Sequence, residues 1–201
     1  MAKISTYATD SVVSASDMLI GTDADNNNET KNFTAGALAA FVNNLSSITR
    51  ELFAYSFANQ EPTPADTPLQ VEFGAAQGTV SDPVMIDVAG EITFNEAGAY
   101  FVKLKLTADK KAVPGYAIMY IRTLINGAAY GPTMMKEMDA NDFAVSVDSV
   151  FPYTFAAADT LSFEILISSN GVLAGGLYDR DPSPAPWAAV PSASIEIFRM
   201  K

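Results

Sequence analysis

Apolar and polar residues alternate along most of the chain after about residue 60, and this pattern predicts β-strands. In residues 100–106 the apolar positions 102, 104 and 106 are separated by Lys103 and Lys105. Residues 161–165 and 194–197 alternate in the same way. A period of two with one polar side is typical of an antiparallel sheet that is packed on one side only.

Further strands are predicted at 69–73, 84–88, 91–95, 116–125 and 143–154. Asn126-Gly127 is a strong hairpin turn, and Asn170-Gly171 is a second candidate. No long helix is predicted after residue 60. The fold class is therefore mainly β, an antiparallel sandwich of roughly eight to ten short strands.

The first 49 residues follow another pattern. Short extended segments at 17–22 and 30–34 flank a loop, 23–29, that is rich in Asp and Asn, and they predict a small hairpin. Thr34 is a suitable N-cap for a helix over residues 35–45. A segment with three prolines, 60–68, favours an extended crossing after this region. We predict an N-terminal segment, 1–49, and a C-terminal domain, 50–201.

The predicted helix carries an apolar seam at steps of three and four, formed by Leu38, Phe41, Leu45, Ile48, Leu52 and Tyr55. Such a seam is compatible with a short trimeric coiled-coil neck or with an amphipathic helix that packs on its own hairpin. Residues 51–57 can equally form a strand. The pattern leaves these alternatives open.

Composition narrows the classes of function. The chain of 201 residues is 49% apolar and carries 12 basic and 23 acidic side chains, a net charge of −11. This charge argues against nucleic acid and anionic membranes as partners. The absence of Cys and His excludes disulfides, thiolate or His-ligated metal sites and His-assisted nucleophiles. No apolar run of about 18 residues and no signal peptide is visible, so we expect a soluble protein made in the cytosol.

The C-terminal domain resembles the trimeric jelly-roll heads of the tumour-necrosis-factor and complement-globular-head superfamily. Residues 90–102 carry the resemblance through Phe94, Gly98 and Tyr100 at the family's spacing, before a long alternating strand. Asn126-Gly127 and the closing strand, 193–200, also fit, whereas Ala158 stands where the family usually has Gly. The resemblance implies a trimeric jelly roll in which Phe94 and Tyr100 are core aromatics and Gly98 is a turn.

The N-terminal segment resembles attachment segments of phage fibre and appendage proteins. Residues 17–23 and 30–34, followed by Leu38 and Phe41, carry this resemblance. It implies that the segment docks onto the particle while the head points outward. A hairpin and one helix cannot bury all their apolar side chains alone. The predicted anchoring residues are Leu19, Ile20, Phe33, Leu38 and Phe41.

Candidate chemistry is sparse. Asp23-Ala24-Asp25 begins like a calcium loop, but Asn28 and Thr34 occupy the positions that require Gly and Glu. We therefore predict no catalytic residue, no metal and no cofactor. Tyr178 and Trp187, near a proline-rich loop, are candidates to face a ligand.

These observations predict a structural protein of a bacteriophage particle: a head fibre, a capsid-decorating trimer or a short tail appendage. Its partners would be two further copies of itself and other capsid or tail proteins, and its location the virion. The predicted trimer-interface residues are Tyr116, Tyr120, Phe151 and Tyr153. The alternative is a receptor- or glycan-binding module that acts as the host-recognition tip.

Overall fold

The computed structural model describes residues 14–23, 29–110, 115–139, 145–171, 175–181 and 187–200. The chain divides into two compact units, Met1–Ser47 together with Lys201, and Ile48–Met200. The division falls two residues before the predicted boundary. None of the described helices has the length and apolar composition required to cross a membrane.

The first unit contains a hairpin and a helix. Strands β1 (Met18–Asp23) and β2 (Glu29–Thr34) pair antiparallel, and helix α1 (Ala35–Ser46) follows directly. The Thr34 hydroxyl accepts a hydrogen bond of 3.0 Å from the Ala37 amide. The predicted hairpin and N-cap are confirmed.

The helix ends before the last residues of the predicted apolar seam, so it is shorter than a coiled-coil neck over that seam would be. Helix α1 stops at Ser46, and β3 (Ile48–Ser56) begins two residues later. Leu52 lies on the inner side of β3, whereas Tyr55 lies on the outer side. A helix running on to Tyr55 is therefore wrong, because antiparallel pairing with the closing strand β13 fixes this segment as a strand.

The second unit is a β-sandwich. Its further strands are β4 (Leu69–Gln70), β5 (Val84–Ile86), β6 (Ile92–Phe94), β7 (Gly98–Asp109), β8 (Ala117–Ile125), β9 (Ala128–Met138), β10 (Val145–Phe155), β11 (Thr160–Ile167), β12 (Gly176–Leu177) and β13 (Ala193–Met200). Sheet I has the order β10-β7-β13-β3, with β12 also paired to β7. Sheet II has the order β5-β6-β11-β8-β9, with β4 also paired to β11.

The chain passes repeatedly from one sheet to the other. It starts in sheet I with β3, enters sheet II with β4 to β6, and returns for β7. The next strands, β8 and β9, lie in sheet II, and β10 lies in sheet I. The chain then forms β11 in sheet II and ends with β12 and β13 in sheet I. Apart from the consecutive pairs β5–β6 and β8–β9, strands that are neighbours in these sheets are not consecutive in sequence, and all pairs are antiparallel. This connectivity is that of a jelly roll, and the predicted mainly β class with an antiparallel sandwich is confirmed.

The core between the sheets is apolar and partly aromatic. The Phe94 ring stacks on Phe155 with centroids 3.6 Å apart, and the edge of Tyr100 packs on Phe94 at 4.9 Å. Phe94 and Tyr100 are fully buried, as the resemblance implied. Gly98 is not in the turn itself but is the first residue of β7, where it pairs with Phe155.

One of the two predicted Asn-Gly hairpins is present. Asn126 and Gly127 both have positive φ, and they connect β8 directly to β9. Asn170-Gly171 is not a hairpin turn. The strand before it, β11, belongs to sheet II, and the strand after it, β12, belongs to sheet I, so the segment leads a crossover instead.

Candidate interaction surfaces

The outer side of β3 carries three aromatic residues in a row. Strand alternation turns Phe53 and Tyr55 away from the core, and Phe57 follows the strand. Adjacent ring centroids lie 5.5 and 5.4 Å apart, and each side chain is 41–45% exposed. The Arg50 guanidinium lies 5.4 Å from the Phe53 ring centroid, within reach of a cation–π contact. We call Phe53, Tyr55 and Phe57 the aromatic ladder.

Further apolar residues lie across sheet I, but Ser194 and the Lys103–Glu196 ion pair stand beside Tyr55 and Phe53 on the same outer side. Phe198 of β13 pairs with Phe101 of β7, which pairs with Pro152 of β10, and all three lie on the outer side. Val150, one step along β10, is exposed. We call these residues and the aromatic ladder the sheet I face. A sandwich buries only the inner side of each sheet, so the fold itself gives no reason for this second apolar side.

A smaller apolar region lies where β9 and β10 border the two sheets. Phe151 and Tyr153 are half-buried on the inner side of β10, and the Tyr130 ring of β9 lies 5.0 Å from Tyr153. Tyr130, Met134 and Phe151 line a cleft of about 150 Å³. We call this region the β9–β10 edge.

The four predicted interface residues do not share one surface. Phe151 and Tyr153 lie at the β9–β10 edge, where they also pack against the core. Tyr120 lies on the outer side of sheet II, and the exposed Tyr116 just before β8 donates a 2.9 Å hydrogen bond to the Asn170 carbonyl. Sequence reasoning missed the sheet I face. The signal was the aromatic alternation at 53, 55 and 57, which the competing helical seam obscured.

A groove lies on the outer side of sheet II, with a volume of about 500 Å³. Its floor includes Arg122 of β8 and Glu164 of β11, whose Nε and Oε2 atoms lie 2.6 Å apart in an ion pair. Asp66 stands at one wall. Hydrogen bonds from the side chain and backbone amide of Ser169 hold the pKa of Asp66 below its ordinary value. Tyr120 also lines the groove, and it was predicted from the sequence as a trimer-interface residue. The other residues named here were not predicted as site residues.

The two predicted ligand-facing residues differ in exposure. Tyr178 is only 6% exposed, and its backbone amide donates to the Thr107 carbonyl at 3.0 Å. Burial raises the pKa of the Tyr178 phenol. Tyr178 follows β12 and is not on an exposed loop as expected, and contact of its side chain with a ligand stays a prediction. Trp187 is 75% exposed, and contact with a ligand there stays a prediction.

The structure describes the side chains of three of the five predicted anchoring residues. Leu19 of β1, Phe33 of β2 and Leu38 of α1 are all exposed. The side chains of Ile20 and Phe41 lie outside the described residues, as does the calcium-like segment 24–28. Over the described ranges, no group of three or more acidic side chains is arranged to hold a metal ion.

Comparisons with known proteins concern the fold only. No family model and no curated protein sequence matches the chain. A solved structure similar to it is the globular domain of zebrafish complement 1qA protein, with a TM-score of 0.42 and 10% sequence identity. The similarity covers 78% of this chain and 98% of that one. Nothing in these comparisons concerns a bacteriophage.

Proposed function

We propose that this chain is a homotrimeric structural protein of a bacteriophage particle, attached by its N-terminal unit and presenting the jelly roll as an outward head. The observation that carries the proposal is the sheet I face. Its exposed apolar clusters, interrupted by the Lys103–Glu196 ion pair, mark a candidate site of association. The attachment role is supported by the resemblance of residues 17–23 and 30–34 to phage attachment segments.

The partner we assign to the sheet I face is a second copy of the chain. The same unit offers the apolar clusters of the sheet I face and a different apolar region at the β9–β10 edge. Contact between unlike surfaces is head-to-tail, and it closes into a ring when the rotation between copies allows. The resemblance to trimeric jelly-roll heads supports a ring of three. Closure also covers β3, which is the edge strand of sheet I in the described part of the chain.

Light scattering on the full chain tests the assembly. We expect a mass of three chains that persists on dilution, since permanent interfaces bury about 2,000 Å² or more. The double variant Phe53→Ser with Tyr55→Ser should shift the protein to folded monomer. Val80→Ser, at another exposed apolar residue, is the matched control and should remain trimeric. A monomeric wild-type chain at micromolar concentration would refute the trimer.

The particle assignment has its own test. Mass spectrometry of purified virions from the phage that encodes this chain should detect it in many copies per particle. Absence of the chain from particles would remove the structural role, whatever its state of association.

The second candidate function is a host-recognition tip, and the exposed indole of Trp187 favours it. Aromatic rings at exposed loop positions can stack on the apolar side of a sugar. Loss of binding to host cells on Trp187→Ala, with the trimer intact, would support this function.

A further inference from the structure

We propose that the groove on the outer side of sheet II is a binding site for a short neutral saccharide. The proposal requires neither the trimer nor the particle location, and it assigns a site apart from Trp187. The groove volume of about 500 Å³ lies within the range of roughly 300–1,000 Å³ that is usual for small-molecule sites.

Strand register builds the floor of the groove. Positions 120 and 122 of β8 both point outward, and pairing with β11 sets Tyr120 opposite Leu166 and Arg122 opposite Glu164. One cross-strand pair thus supplies an aromatic ring and an aliphatic side chain, and the next supplies an ion pair. Cross-strand neighbours lie about 5 Å apart, so the two pairs form one continuous surface.

One side of the groove comes from segments that are distant in sequence and tied to each other. Its lining residues are Asp66, Pro68, Ser168 and Asn170. The Ser169 amide donates to the Asp66 carboxylate at 3.1 Å, and the Asp66 amide donates to the Ile167 carbonyl at 2.9 Å. Because these bonds hold this side of the groove in the free protein, little ordering free energy there would oppose binding.

The polar groups of the groove match hydroxyl groups better than ions. Arg122, Thr133 and Asn170 supply donors, and the carboxylates of Asp66 and Glu164 supply acceptors. Sugar hydroxyls donate and accept, so they can use both kinds of group. The C–H surface of a sugar ring can also pack on Tyr120 and Leu166.

Charge argues against an anionic ligand. The ion pair of Arg122 with Glu164 cancels its own charge, and Asp66 leaves the groove with an excess of one negative charge. An anionic ligand would meet this carboxylate and the chain's net charge of −11. A neutral saccharide does not meet this repulsion.

Glycan-array binding with the full chain tests the proposal. The array should carry neutral oligosaccharides of glucose, galactose, mannose, rhamnose and N-acetylhexosamines beside sialylated ones. We expect binding to one neutral class, and calorimetry with that saccharide gives the affinity. Tyr120→Ala and Thr133→Val should each weaken it about tenfold. Glu137→Gln, on the same outer side but outside the groove lining, is the matched control and should bind as the wild type does.

Three outcomes would overturn the assignment: no neutral glycan bound, binding confined to sialylated glycans, or equal affinity in the Tyr120→Ala variant and the wild type. Loss of binding in Trp187→Ala with no loss in Tyr120→Ala would place the saccharide site at the loop of Trp187. This result would also refute the groove as the binding site. Circular dichroism on each variant separates loss of the site from loss of the fold. Light scattering stays an independent readout, so failure of the trimer and failure of the saccharide site are distinguishable.

Discussion

At the scale of single residues, the turn before β11 holds an alanine in a conformation that suits glycine. Ala158 has a φ of +70°, and its amide donates to the Phe94 carbonyl at 2.7 Å. The β-carbon costs about 1–2 kcal/mol in this region, and the greater unfolded-state freedom of glycine offsets part of the gain. Ala158→Gly should therefore raise the free energy of unfolding in urea by about 0.5–1 kcal/mol.

The neighbouring Ala157 gives a matched control, since it does not share the positive φ. Ala157→Gly removes no strain and only adds freedom to the unfolded chain, so it should lower stability slightly. If Ala158→Gly destabilises as much as Ala157→Gly, the strain assigned to this turn is absent.

The same turn makes stability depend on pH through Asp159. The Asn126 side-chain amide donates to one carboxylate oxygen at 2.9 Å, and the Ala156 amide donates to the other at 2.7 Å. These bonds hold the pKa of Asp159 below its ordinary value of 3.8. Their contribution to the free energy of unfolding is present at pH values above the ordinary pKa, and it is lost as the pH falls through the pKa of the folded state.

Asp159→Asn should consequently be less stable than the wild type near neutral pH, and this stability difference should close as the pH falls through the lowered pKa of the wild-type carboxylate. Thermal unfolding of the variant and the wild type, followed from pH 7 to pH 2, measures the stability difference at neutral pH and its decrease at low pH. Asn126→Ala removes one donor and should reproduce part of the effect. A gap of constant size at all pH values would assign the loss to packing instead of ionisation.

At the scale of elements, the proline-rich crossing is held by one side chain. Gln60 is buried, and its amide both donates to the Glu72 carbonyl and accepts from the Glu72 amide, each at 2.8 Å. Its backbone pairs with Leu177. Gln60→Leu keeps the volume but leaves these backbone groups unsatisfied, so it should cost about 1–2 kcal/mol in urea unfolding.

Gln70→Leu is the comparison, because Gln70 makes one exposed hydrogen bond, to the Ala89 carbonyl at 2.9 Å. An exposed group can bond to water when its partner is removed, so Gln70→Leu should lower the free energy of unfolding less than Gln60→Leu does. Equal losses at the two positions would mean that the Gln60 side chain does not anchor the crossing.

At the scale of the whole molecule, the sandwich carries its own core. Every member of the described core cluster lies between Leu52 and Ile197. A chain that lacks residues 1–47 should fold and unfold at the same temperature as the jelly roll of the full chain. Under the proposed function it should form trimers but fail to enter particles. Incorporation at the normal copy number would show that the N-terminal unit is not the attachment.

The sequence by itself determined the features that depend on near neighbours. Strand alternation predicts that Val102, Leu104 and Leu106 of β7 are buried while the lysines between them are exposed, because side chains of a strand point alternately to its two sides. Thr34 and Asn126-Gly127 identify a helix start and a hairpin, since each acts within three or four residues.

Only the tertiary structure decided which surfaces meet and which stay exposed. Residues 48–56 fit both a helical seam and a strand, and pairing with β13, more than 130 positions away, selects the strand. Tyr178 looks exposed beside a loop, but pairing of β12 with β7 buries it. The groove on sheet II joins Asp66, Tyr120 and Glu164, and the sheet I face joins residues of β3 with residues of β10. Local periodicity carries no record of such long-range pairing, because it fixes which side of a strand is apolar but not which strands become neighbours.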